Sequence, residues 1–131
     1  MKEQLRMMEE FHRAFGHPVN QPDLMSDVSF VKLREKLIFE ETMEISDQLY
    51  DDCQADGKIS PNLLKEGADL LYVLLGTFVS LGLGDQLIEA FKRVHESNMS
   101  KLDENGQPIH REDGKVLKSK NYKPPVLDDL V

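Results

Sequence analysis

The residues in this chain best placed to do chemistry are acidic and come in two pairs, Glu41 with Glu44 and Glu66 with Asp69. On a helix, residues three apart lie on one face about one turn from each other, so each pair presents two oxygen donors side by side. Glu41 and Glu44 continue a stripe through Phe30, Leu33 and Leu37 that reads as the core-facing side. Glu66 and Asp69 run on into Leu70 and Val73. Carboxylates on an apolar stripe are costly without a partner, so a converging set of them calls for a cation. Hard oxygen donors select Mg²⁺ over zinc, with Mn²⁺ as a substitute and water completing the shell. The bland reading of such acids is solvated surface paired with lysines, and the apolar stripes they extend count against it. A carboxylate-bridged di-iron bundle would need two Glu-x-x-His pairs. The chain has one, Glu9-x-x-His12.

The elements that must hold these acids are helical. Met1 to Phe15 has Leu5, Met8, Phe11, His12 and Phe15 at helical spacing, and Gly16-His17-Pro18 stops it. After a loop with Pro18, Asn20 and Pro22, Asp27 or Ser29 caps a second helix running from about Phe30 to Asp51. Ser60-Pro61 is an N-cap followed by proline at the first helical position, opening a third helix to about Leu81. That helix is apolar nearly all round, which predicts burial on every side and hence a homo-oligomer. A fourth helix spans about Gln86 to Leu102, with Leu87, Phe91, Val94, Asn98 and Leu102 close to one inward line and His95 beside Asn98. Beyond it, Asn105-Gly106 and Asp113-Gly114 are turn dipeptides, predicting a small hairpin over Ile109 to Leu117 and an extended tail from Tyr122 to Pro125. The expected architecture is all-α: an antiparallel four-helix core with a short hairpin or extended C-terminal tail, one domain over residues 1–131.

Composition narrows the partners. The net charge is −8, which argues against a binder of nucleic-acid polymers. Between Pro108 and Pro125, Arg111, Lys115, Lys118, Lys120 and Lys123 outnumber Glu112 and Asp113 for a local +3, leaving −11 on the rest. A basic tail on an acidic body suits a small anion bridged to a metal. The single cysteine, Cys53, sits among acidic neighbours that disfavour a thiolate, so it is read as a bystander. The N-terminus lacks a secretion signal's apolar core, and the longest apolar run, Leu70 to Phe78, is about half a membrane span. A cytoplasmic protein without a membrane partner is the expectation.

The Glu40-Glu41-x-x-Glu44 and Glu66-x-x-Asp69 arrangement on consecutive helices resembles the all-α nucleoside triphosphate pyrophosphohydrolases. That superfamily includes MazG-like proteins, dimeric dUTPases, dCTP pyrophosphatases and phosphoribosyl-ATP pyrophosphohydrolases. The stretches Val94-His-Glu-Ser-Asn-Met-Ser-Lys101, Asp113-Gly-Lys-Val-Leu-Lys118 and Asn121-Tyr-Lys-Pro-Pro125 look like the MazG-like branch with dUTPase-type members. The resemblance implies Mg²⁺-dependent cleavage between the α- and β-phosphates of a nucleoside triphosphate, giving a monophosphate and pyrophosphate. A pyrimidine deoxynucleotide such as dUTP is the expected substrate, in nucleotide-pool house-cleaning by a homodimer or a dimer of dimers. Glu41, Glu44, Glu66 and Asp69 would be the metal ligands, and Glu40 would work on the attacking water or bind a further metal. Asn98 would read a base edge or sugar hydroxyl. Lys101, Lys115 and Lys118 would meet phosphate charge. His95 is either core or site, and Tyr122 either stacks on a base or anchors the tail. Phe11 and Phe15 read as core. The competing expectations are a phosphoribosyl-ATP pyrophosphohydrolase-like enzyme, whose branch is usually shorter at its C-terminus, and a non-enzymatic acidic helical adaptor.

Overall fold

A computed structural model describes residues 1–131. The chain is all-α apart from one tiny hairpin: α1 (Lys2–Ala14), α2 (Val28–Gln54), α3 (Pro61–Ser80), α4 (Gly84–Met99), then β1 (Ile109–His110) and β2 (Val116–Leu117). Short 3-10 turns cover Pro22–Ser26 and Asp128–Leu130. The residues form two compact units, Met1–Gly84 and Asp85–Val131. No single helix is long and apolar enough to cross a membrane.

In the first unit the helix boundaries have local causes. Gly16 takes a left-handed φ of +70° that ends α1. Asp27 caps α2, its carboxylate accepting from Ser29 N at 2.9 Å and Phe30 N at 3.2 Å. Ser60 Oγ accepts from Leu63 N at 3.3 Å with Pro61 behind it, as the sequence predicts for α3. The second helix runs one turn further than expected, through Gln54, because Asp52 turns inward to bond Ser60 N at 2.8 Å instead of opening a polar loop. The core lies where α1 meets α3: Leu5, Met8, Leu75, Val79 and Leu81 are buried, with His12 and Ser80 sealed among them. The chain after α1 ties down through Asn20 N and Gln21 N, which donate to Val79 O and Ser80 O.

Helices α2 and α3 are antiparallel neighbours. Arg34 bonds Val73 and Thr77, Ile45 meets Gly67, and Asp52 bonds Ser60, so ascending positions on one helix meet descending ones on the other. The seam on α2 is Val31, Arg34, Ile38, Glu41, Ile45, Gln48 and Asp52. Its alternating steps of three and four keep one face against a partner helix. This corrects the expected stripe. Leu33 is 51% exposed and Glu44 is exposed too, while Glu41 belongs to both stripes. The polar members hide the true seam from a hydrophobicity pattern.

Burial of α3 on every side is not met within one chain. Leu64 is 77% exposed, and Leu71 and Tyr72 are also open, because α1 and α2 cover only part of its circumference.

In the second unit, α4 ends at Met99, three residues short of the expected Leu102. The tail packs on its Arg93–Ser97–Ser100 face. Arg93 Nη1 donates to Val126 O at 2.9 Å, its guanidinium forks onto Asp129 at 2.6 and 3.0 Å, and Lys123 N donates to Ser100 Oγ at 2.9 Å. The expected inward line is therefore the wrong one: Phe91 is 74% exposed, and Val94 and Asn98 are exposed too. The hairpin forms where the turn dipeptides place it, pairing Ile109 with Leu117 and His110 with Val116. Gly114 there has φ +88°.

Candidate metal centre

Glu41 projects from the middle of α2, and Glu66 and Asp69 from successive turns of α3. One carboxylate oxygen from each lies within 4.8 Å of the others. The convergence follows from the antiparallel seam, which sets the middle of α2 against the first half of α3. Glu66 is buried, while Glu41 and Asp69 are half-buried. Two oxygens in this group, Glu41 Oε2 and Glu66 Oε2, are buried with no hydrogen-bond partner. A buried acceptor without a donor is rare in a folded protein and points to an ion or water. The donor set is all carboxylate, which suits a hard divalent cation.

Glu44 sits one turn further along α2 and is exposed. The charge of Glu41, and after it the nearby carboxyl of Glu66, hold its carboxyl above the ordinary value. Such crowding of like charge is relieved by a cation. Glu40 lies off the cluster, about half exposed, with Lys36 at 3.9 Å.

Lysine chemistry already acts at this site. Lys65 Nζ donates to Asp69 Oδ2 at 2.7 Å and to Glu66 Oε1 at 3.3 Å, and these bonds hold its ammonium above the usual lysine range. The residue was open to sequence reasoning, since Lys65 and Asp69 are an i, i+4 pair. Arg34 was also missed. It lies two turns before Glu41 on the same seam, donating to Thr77 Oγ1 at 2.9 Å and Val73 O at 2.7 Å, and burial pushes its pKa down. Gly76 makes room for it: a Cβ there would lie 2.8 Å from Arg34 Nη2 and 2.9 Å from His12 Nε2.

The remaining candidates lie in the second unit. His95 and Asn98 are exposed on α4, and Lys101 is half-buried just past its end. Lys115 and Lys118 flank β2 and are exposed. Lys118 Nζ stands 4.6 Å over the ring of half-buried Tyr122, a cation–π contact that gathers these two. Tyr122 also lines a shallow pocket with Ser100, Leu102 and Asn121, which Asn98, Lys101 and Lys115 do not enter. Phe11 is half-buried against Tyr72, with ring centroids 5.3 Å apart, whereas Phe15 is 69% exposed because α1 ends before burying it.

The fold and site define an all-α protein whose helices gather carboxylates on one spot, with two buried oxygens lacking donors. The sequence model of the phosphoribosyl-ATP pyrophosphohydrolase family matches residues 8–98, from α1 to the last turn of α4, and the chain belongs to that family. The family lies within the all-α nucleoside triphosphate pyrophosphohydrolase superfamily. Its members are hydrolases acting on acid anhydrides, which sets the enzyme above the non-enzymatic adaptor. The matched span holds all the acidic candidates and stops short of the hairpin and tail. No match was found among curated proteins.

Proposed function

We propose that this chain is a Mg²⁺-dependent nucleoside triphosphate pyrophosphohydrolase of the MazG-like branch. It cleaves a pyrimidine deoxynucleotide such as dUTP between the α- and β-phosphates, yielding the monophosphate and pyrophosphate. The observation that carries this reading is the pair of buried oxygens without donors, Glu41 Oε2 and Glu66 Oε2, within a carboxylate cluster. Glu41, Glu66 and Asp69 would hold the cation, with Glu44 closing the set from the exposed side. Mg²⁺, or Mn²⁺ in its place, supplies the charge that lets an acidic site accept a polyphosphate and lowers the pKa of nearby water.

The chain's own residues do the rest. Glu40 takes a proton from water as the water oxygen bonds to phosphorus and the bridging oxygen leaves with pyrophosphate. Lys101, Lys115 and Lys118 meet phosphate charge, Asn98 reads the base or sugar, and His95 and Tyr122 flank the nucleotide. A homodimer or dimer of dimers is supported by the apolar residues one chain leaves open, among them Phe39 at 64%, Tyr50 at 65% and Leu64 at 77% exposed.

Phosphoribosyl-ATP is the second reading, favoured by the family match over residues 8–98. Pyrophosphate release from a panel of triphosphates and phosphoribosyl-ATP, with Mg²⁺ or Mn²⁺, separates the two. Fastest turnover of dUTP or another pyrimidine deoxynucleotide supports the first, and fastest turnover of phosphoribosyl-ATP replaces it with the second.

A further inference from the structure

Two amide side chains connect the acid cluster to the turn between α2 and α3. Asn62 Nδ2 donates to Glu66 Oε1 at 3.1 Å and to Gln48 Oε1 at 2.5 Å. Gln48 Nε2 in turn donates to Asp52 Oδ1 at 2.7 Å and Ser60 Oγ at 3.1 Å. Asp52 is buried, and its other oxygen accepts from Ser60 N at 2.8 Å and Ser60 Oγ at 3.1 Å. The bond from the Ser60 backbone holds the Asp52 carboxyl below the usual carboxylate range. The relay thus starts at the N-cap of α3 and ends on an acid of the cluster.

Its direction is set by its two ends. An ionised carboxylate only accepts hydrogen bonds, so Gln48 must turn its NH₂ toward Asp52 and its carbonyl toward Asn62. Asn62 must then donate on both sides. Flipping either amide would set oxygen against oxygen. The consequence falls on Glu66. Its Oε1 is engaged by Asn62 and Lys65, while Oε2 is left buried without a partner.

We infer that Asn62, held by Gln48 and Asp52, is a positioning residue that fixes the Glu66 carboxylate with Oε2 free for the cation. The inference rests on the metal-site reading above. Partners that orient a ligand in this way are worth about 10–100-fold in metal affinity or activity. Asn62 is exposed at the start of α3, so its loss leaves the core intact.

The test is Mn²⁺ binding by the full chain, followed as loss of the free-ion signal in electron paramagnetic resonance, alongside thermal melting in chelator. Asn62→Ala is expected to weaken Mn²⁺ binding by about 10–100-fold, with the chelated melting temperature unchanged. Gln48→Met, which cuts the relay one step upstream, is expected to weaken binding in the same direction by less. If Asn62→Ala binds Mn²⁺ as tightly as the wild type, Asn62 does not position Glu66, and a lowered chelated melting point with intact binding marks it as merely structural. If the wild-type chain takes up no Mn²⁺, the metal-site reading falls and this inference with it.

Discussion

The α2–α3 seam and the C-terminal unit both carry dense charge, and they handle it in opposite ways. In the seam, acids of one sign are drawn together and partly buried, and two oxygens are left without donors. In the second unit many charges are already answered: Arg93 by Glu89 and Asp129, Arg111 by Asp113, Lys120 by Glu104. Paired charges of that kind leave no demand for a ligand, and the exposed ones contribute little to stability. On the seam Lys65 answers Asp69 and one oxygen of Glu66, but buried oxygens without donors remain, and these are costly unless a ligand meets them. The contrast leaves the unanswered demand for a donor on the seam, while the second unit's charges anchor its own tail.

The contrast is broken most readily at the seam. Glu66→Gln is expected to lower turnover by more than about 100-fold, exceeding the loss of an outer partner, while far-ultraviolet circular dichroism stays helical. Retained activity would mean the buried oxygens are incidental. Gly76→Ala tests whether the seam is as tightly packed as the Arg34 and His12 contacts imply. Overpacking there is expected to cost about 1–3 kcal/mol, read from the denaturant midpoint. An unchanged midpoint would show that Arg34 yields freely.

The second unit offers the smaller effects. Arg93→Ala removes the fork that holds Val126 and Asp129. Faster trimming by carboxypeptidase is expected, with the main unfolding transition unmoved; equal trimming rates would show that the tail is held by other contacts.

A last, gentler probe returns to the first unit. His12 is sealed between α1, α3 and the loop, with Pro18 O at 2.8 Å and Ser80, Arg34 and His17 around it. Burial lowers its pKa, opposed by the Pro18 bond and aided by the charges of Arg34 and His17. A histidine kept neutral by the fold contributes stability that is whole above its unfolded value of about 6.5 and is lost as pH falls below it. The melting temperature should therefore drop from neutral pH toward pH 5, and His12→Gln should flatten that slope.

What could be read from the chain divides along the same line as its charges. Features with local causes are legible: the Asp27 and Ser60-Pro61 caps, the Gly16 stop and the Asp113-Gly114 hairpin. Features set by partners far along the chain are not. The α2 seam escapes a hydrophobicity pattern because Arg34, Gln48 and Asp52 interrupt it, and all three find partners on α3 or at its cap. The α4 face is hidden in the sequence because Phe91 and Val94 read as core, whereas Arg93 recruits the tail from Val126 onward. Asn62 gives only its i, i+4 spacing to Glu66 as a signal, because its other bond, to Gln48, forms across the seam.

In the proposed function the carboxylate cluster drives hydrolysis through a divalent cation. The most direct test is pyrophosphate release from the best nucleotide substrate, followed through addition of chelator and then of excess Mg²⁺. Release that stops in chelator and returns with Mg²⁺ is the predicted result. Release that continues undiminished in chelator would contradict the account.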